Sequence, residues 1–128
     1  MNIGQASRET GVSIKMIRYY EQTGLIPPVA RNQAGYRHYS ENDLHRLRFI
    51  RRARDLGFSI KHIAILLSLW QNHDRENAQV RDIANQHISG LQNRITEMEA
   101  MITTLQKLVD ECAGQDRPEC PILTDLEH

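Results

Sequence analysis

The chain has 128 residues, 25% charged and 40% hydrophobic, with a formal net charge of zero. That zero is a cancellation: residues 1–61 carry 11 Lys and Arg against 5 Asp and Glu, and residues 62–128 carry 5 against 11. A basic half points to an anionic partner, nucleic acid first, with two solvated surfaces of opposite bias as the plainer reading. No run approaches the about 20 apolar residues of a membrane span, and Met1-Asn2-Ile3-Gly4-Gln5 does not start a signal peptide. The expectation is a cytoplasmic protein with reduced thiols.

Residues 2–9 predict a short helix with Ile3, Ala6 and Ser7 inward, ended by Gly11. Ser13 is placed to cap a second helix that runs to about Gln22 and stops at Gly24. Two short helices around a tight turn at Gly11-Val12 predict a helix-turn-helix. Lys15, Arg18 and one of Tyr19 and Tyr20 fall on the outer face of the second helix. There they suit phosphates and base edges in a major groove. The same pattern also allows ordinary packing, with Ile17 and one tyrosine in the core and Lys15 solvated.

Pro27-Pro28 cannot continue a helix. The stretch Asn32 to Tyr39 carries a turn signal followed by alternation, and predicts a small hairpin, or wing, turning at Asn32–Gly35. Tyr36 and Arg37 would touch the nucleic-acid backbone, and Tyr39 would pack inward. Ser40 with Asp43 three residues on is a capping pattern. The helix it opens places Leu44, Leu47, Ile50 and Ala53 inward and ends at Gly57. Ser59 caps the next helix, whose apolar side is Ile60, Ile63, Leu66, Leu67 and Trp70. Between Arg46 and Arg54 lie five arginines, more than solubility needs, and Arg54 beside the turn is the best placed for a phosphate.

Residues 71–79 form a polar connector. Beyond it Ala84, Ile88, Leu91, Ile95, Met98, Ile102, Leu105, Val109 and Cys112 alternate in steps of 4 and 3, an a/d heptad seam. A helix of about 30 residues is about 45 Å long and cannot bury such a seam on so small a body. A homodimer is expected. In an antiparallel pair, which the heptads do not dictate, Cys112 would meet the partner near Asn77.

Cys112 and Cys120 are the only cysteines. Thiolates are soft ligands for Cu(I) and also bind zinc, and a tetrahedral zinc site wants four ligands or three plus water. No histidine lies between or beside the pair, and Asp116 and Glu119 are hard donors. Two sulfurs suit a linear monovalent ion: Cu(I), with Ag(I) or Au(I) as mimics. Cys120-Pro121 has the form of N-cap and N1 of a short helix over Ile122 to Leu126, and a helix N-terminus stabilises thiolate charge. A redox pair and plain packing are the other readings of these thiols. The six histidines form no ligand-spaced cluster and no nucleophile–base constellation stands out, so an enzyme is not expected. Leu126-Glu127-His128 has the form of a tag scar and carries no functional weight.

The chain resembles MerR-type transcriptional regulators, specifically their copper-efflux (CueR-like) branch. The resemblance rests on Ile3-Gly4-Gln5-Ala6, IRYYEQTGLI over Ile17–Ile26, GYRHYS over Gly35–Ser40, RRARDLGFSI over Arg51–Ile60, and ECAGQDRPECPIL over Glu111–Leu123. It implies a mainly α fold: a winged helix-turn-helix DNA-binding domain with a second helix pair (1–75), a long antiparallel coiled-coil dimerisation helix (76–111), and a metal-binding loop with a short C-terminal helix (112–128). It implies a homodimer on double-stranded promoter DNA that represses without metal. With metal it distorts the DNA so that RNA polymerase can use it. Carried onto this chain, DNA contacts fall to Lys15, Arg18 and Tyr20, with Tyr36, Arg37 and Arg54 on phosphates. Metal falls to Cys112 and Cys120. Divalent-sensing relatives carry a third cysteine where this chain has Asn77, and copper-type relatives usually carry serine there. Cu(I) is the expected effector. A Zn, Cd or Hg sensor on the same scaffold is the alternative, and a thiol redox protein a further one.

Overall fold

A computed structural model describes residues 1–112 and 119–128. It contains six helices among those residues: α1 (Ile3–Thr10), α2 (Ile14–Gln22), α3 (Glu41–Asp55), α4 (Ile60–Gln71), α5 (Asn77–Cys112) and α6 (Pro121–Glu127). They fall into two compact units, Met1–Ile83 and Ala84–His128. No helix among the described residues is long and apolar enough to cross a membrane.

In the first unit, side chains just outside the helices set where they start. Asn2 accepts from the Gln5 amide while the Gln5 side chain accepts from the Asn2 amide, a reciprocal capping box. α1 therefore starts at Ile3, one residue later than the sequence suggests, and ends at Thr10. Ser13 caps α2 through the Met16 amide, and Ser59 caps α4 through the His62 amide. Ser40 and Asp43 complete the second capping box, at α3. Each such cap satisfies amides that the first turn leaves without partners, typically worth about 1 kcal/mol. Gly11 ends α1 at φ 73°, the left-handed conformation that lets the chain turn at once into α2.

One core joins these helices. α1 packs on α2 and α3, and α3 on α4. Ala6, Ile17, Leu44, Leu47, Ile50 and Ile63 are essentially inaccessible, and Leu67 closes the α3–α4 side. Tyr39 is buried as expected, its backbone amide bonded to the Met1 carbonyl. Trp70 is only partly covered: it stacks on Phe49 at 4.7 Å and stays 39% exposed, while Leu69 takes the buried position beside it.

The expected hairpin is reduced to one antiparallel bridge between Arg31 and Arg37, with no regular strand among the described residues. Asn32 holds the turn by accepting from the Ala34 and Tyr36 amides, and Gly35 supplies φ 84°. So short a ribbon has no sheet to lean on and is held by its attachments to the helices.

α5 is 36 residues long, about 54 Å at 1.5 Å per residue. None of its residues is buried. Ile95, Met98, Ile102, Leu105 and Val109 are all more than half exposed, so the heptad seam faces solvent in the single chain. In the second unit α6 follows Cys120, which stands at its N-cap with Pro121 at N1.

Candidate functional site

The arginines of α3 divide by their partners. Arg46 pairs with Asp43 at 3.4 Å and Arg48 with Glu9 at 3.8 Å. Arg51 donates to the Thr10 carbonyl at 3.2 Å and lies 3.9 Å from Asp55. Its guanidinium fills the space a side chain on Gly11 would need. Arg51 thus fastens the helix-turn-helix turn to α3. Among the described residues Arg52 and Arg54 make no ion pair. Arg54 borders a shallow depression with Gly11, Ser13, Tyr20 and Arg51.

Lys15 and Arg18 are exposed on α2, as the sequence suggests. Of the two tyrosines the sequence left open, Tyr20 is the buried one, although the resemblance gave it a DNA contact. It is 4% exposed and part of the core, whereas Tyr19 is 46% exposed. Consecutive helical residues point about 100° apart, and here the core claims the second of the two. Burial raises the Tyr20 pKa, partly opposed by the Arg54 charge. What remains of Tyr20 at the surface borders the Arg54 depression.

A second depression is lined by Asn2, Arg18, Arg31, Tyr36 and Arg37. Tyr36 is 71% exposed. Arg37 is half-buried, because its Nε donates to Glu21 of α2 at 3.0 Å. Arg31 donates to the Gly35 carbonyl at 2.9 Å. Sequence reasoning missed Glu21 and Arg31. Glu21 lies at a partly buried position inside the quoted IRYYEQTGLI motif, which was the available signal.

The thiols come together. Cys112, the last residue of α5, and Cys120, the N-cap of α6, have their sulfurs 3.6 Å apart, and both are free and partly exposed. The Leu123 backbone N–H and then the Cys112 thiol hold the Cys120 pKa below its ordinary value; burial opposes them, and the Ile122 N–H adds a smaller lowering effect. The sulfur makes no capping hydrogen bond, so the helix amides act on it electrostatically.

With metal–sulfur bonds of about 2.3 Å, two sulfurs on one ion lie at most about 4.6 Å apart. The observed pair is within that span, so both can reach one soft ion. No group of three or more His, Cys, Asp or Glu side chains gathers among the described residues. Glu119 is exposed beside Cys120, and Asp116 lies outside the described residues. Asn77 is the exposed first residue of α5.

A capped helix-turn-helix beside a basic wing, followed by a long helix with an open heptad seam, defines the class of a DNA-binding transcriptional regulator. The comparisons with known proteins agree. The description "MerR HTH family regulatory protein" matches residues 1–70, and "MerR, DNA binding" matches residues 44–108. Heavy metal-dependent transcription regulator 1 of Rhizobium meliloti is 54% identical over 98% of this chain and 86% of its own length. The regulator CueR of Salmonella typhimurium is 33% identical over 98% of this chain and 91% of its own. The crystal structure of PbrR691 from Ralstonia metallidurans in complex with lead(II) superposes with a TM-score of 0.86 at 31% identity, covering 98% of both chains. The chain belongs to the MerR family of transcriptional regulators.

Proposed function

We propose that this protein is a Cu(I)-responsive transcriptional regulator, with Ag(I) and Au(I) as mimics, that represses without metal and activates copper-efflux or detoxification promoters with it. The observation that supports the choice of ion is the donor set: two neighbouring thiols, with no group of three ligating side chains among the described residues. Linear coordination would open the pair from 3.6 Å to about 4.6 Å. Two soft donors and residual negative charge beside α6 amides favour a monovalent d10 ion over a divalent one.

In this reading Cys112 and Cys120 hold the ion, and the amides of Leu123 and Ile122 stabilise the thiolate of Cys120. When bound, the ion supplies two metal–sulfur bonds that fasten the start of α6 to the end of α5. The seam from Ala84 to Val109 pairs with a second copy, antiparallel, in a cytoplasmic homodimer. Lys15 and Arg18 enter the groove of double-stranded promoter DNA. Tyr36, Arg37 and Arg54 hold phosphates, and the surface edge of Tyr20 supports Arg54. The output is promoter shape, read by RNA polymerase. The working organisation is a DNA-binding domain over 1–75, a dimerisation helix over 76–111 and a sensing tail over 112–128.

A divalent sensor is the second reading, favoured by the likeness to a lead(II)-bound relative. Asn77 bears on the choice: an amide is a harder and weaker donor than a third thiolate. Anaerobic competition between Cu(I) and Zn(II), read by in vitro transcription, separates the two. Induction by Cu(I), lost in Cys112→Ser and in Cys120→Ser with operator binding retained, is the expected result. Zn(II) outcompeting Cu(I) reverses the assignment.

A further inference from the structure

We infer that Cys112 and Cys120 form an intrachain disulfide on exposure to a hydroperoxide, a second input that makes the sensing end blind to metal. The inference rests on the contact between the two sulfurs, and it bears on the metal reading because it consumes the same atoms.

The geometry is favourable at both ends. The sulfurs are already 3.6 Å apart, against about 2.05 Å in a disulfide. Closing the remainder takes a movement of about 0.8 Å from each side. Neither residue sits in a core: Cys112 is the last residue of α5 and Cys120 precedes the first turn of α6. Both are partly exposed, so a small peroxide can reach them. They lie only eight positions apart in the chain, and a thiol this close captures an oxidised neighbour faster than one from another molecule.

The step balances as follows. One sulfur, as thiolate, attacks a peroxide oxygen. The O–O bond breaks, a sulfenic acid forms, and the leaving oxygen departs as hydroxide, which takes a proton to become water. The second sulfur then attacks the sulfenic sulfur, the S–S bond forms, the S–O bond breaks, and that oxygen leaves as a second water with the second thiol's proton. Two electrons pass from the sulfur pair to the peroxide. A thiol reductant reverses the reaction by exchange. The product has no thiolate left to ligate a soft ion.

The test uses the full-length reduced protein and hydrogen peroxide, with Ag(I) as the metal probe. Expected are loss of both thiols to a thiol titrant, with monomeric chains on a non-reducing gel. Ag(I) binding should fall at least tenfold and dithiothreitol should restore it. Cys112→Ser and Cys120→Ser should each stop at a sulfenic acid that a nucleophilic probe traps. Chains joined to one another, or irreversible oxidation beyond sulfenic acid in the unmutated protein, overturn the inference. Thiols that survive peroxide while the reduced protein binds Ag(I) also overturn it and leave the metal reading standing. A disulfide that closes in a protein whose reduced form ignores Ag(I) supports the thiol oxidation but overturns its effect on metal, and removes the metal reading.

Discussion

Arg37 of the wing donates its Nε–H to the Glu21 carboxylate of α2 across 3.0 Å, joining two segments 16 positions apart. The Glu21 side chain is 16% exposed and the Arg37 side chain 31%, so the bond is sheltered from water without being dry. It ties the wing to the second helix of the helix-turn-helix, so the two present one basic surface. Glu21→Ala is expected to weaken operator binding about fivefold to tenfold, the equivalent of about 1 kcal/mol for a partly exposed pair. Arg37→Ala should weaken it further and reduce the slope of log affinity against log salt by about 1, one phosphate contact. Fluorescence anisotropy over a salt series measures both. An unchanged slope in Arg37→Ala would remove Arg37 from the phosphate contacts.

Gly11 should be the least replaceable residue of the turn. Its φ of 73° strains any other side chain, and the Arg51 guanidinium occupies the space a Cβ would take. Arg51 is flexible enough to retreat, but only by giving up the Thr10 carbonyl. Gly11→Ala is expected to lose about 1–2 kcal/mol of stability from the backbone conformation, plus about 1 kcal/mol from that bond. Arg51→Ala should lose the second part alone. Urea unfolding of the two single variants and the double variant checks this, with non-additive losses expected.

The open seam of α5 predicts self-association. Ile95 and Ile102 are 55% and 64% exposed in the single chain. Covering the exposed half of each isoleucine is worth about 0.8–1.5 kcal/mol, and each dimer gains it twice. Ile95→Asp or Ile102→Asp should therefore raise the dimer dissociation constant at least tenfold, by the conversion of about 1.4 kcal/mol per factor of ten. Analytical ultracentrifugation reads the change. A monomeric unmutated chain at micromolar concentration would contradict the seam's role.

The Cys120 thiol should be more acidic in the folded protein than in the unfolded chain. Its folded pKa is lowered, first by the Leu123 amide and then by the Cys112 thiol. The stabilisation that follows is complete above the unfolded thiol's value and is lost as pH falls through the lower folded value. Alkylation by iodoacetamide should begin at a lower pH in folded protein than in urea. In Cys112→Ser the shift should shrink but keep its direction, because the helix amide is the larger cause. Identical pH profiles for folded and denatured protein would remove the amide effect.

The elements of the fold were readable because their signals are local. Ser13, Ser40 and Ser59 each bond an amide three residues on, so the start of each helix is written within one turn. The 4-and-3 spacing from Ala84 to Cys112 likewise needs only one helix to be seen. The candidate site was readable in part. Lys15, Arg18, Tyr36 and Arg54 are exposed where the pattern puts them, but the pattern could not separate Tyr19 from Tyr20. Both sit at the edge of the apolar stripe, and neighbours from other segments decide which ring is covered.

The sequence by itself determined the helices, their caps, the turn at Gly11 and the seam, because each depends on residues within a turn or two. Only the tertiary structure decided which cations carry an internal bond and which carry no ion pair among the described residues. Arg51 reaches Thr10 across 41 positions and Arg37 reaches Glu21 across 16, leaving Arg54 without an ion pair among the described residues. It also decided that the Cys112 and Cys120 sulfurs meet at 3.6 Å. Distances between segments follow from how the helices pack, and a linear pattern does not contain them.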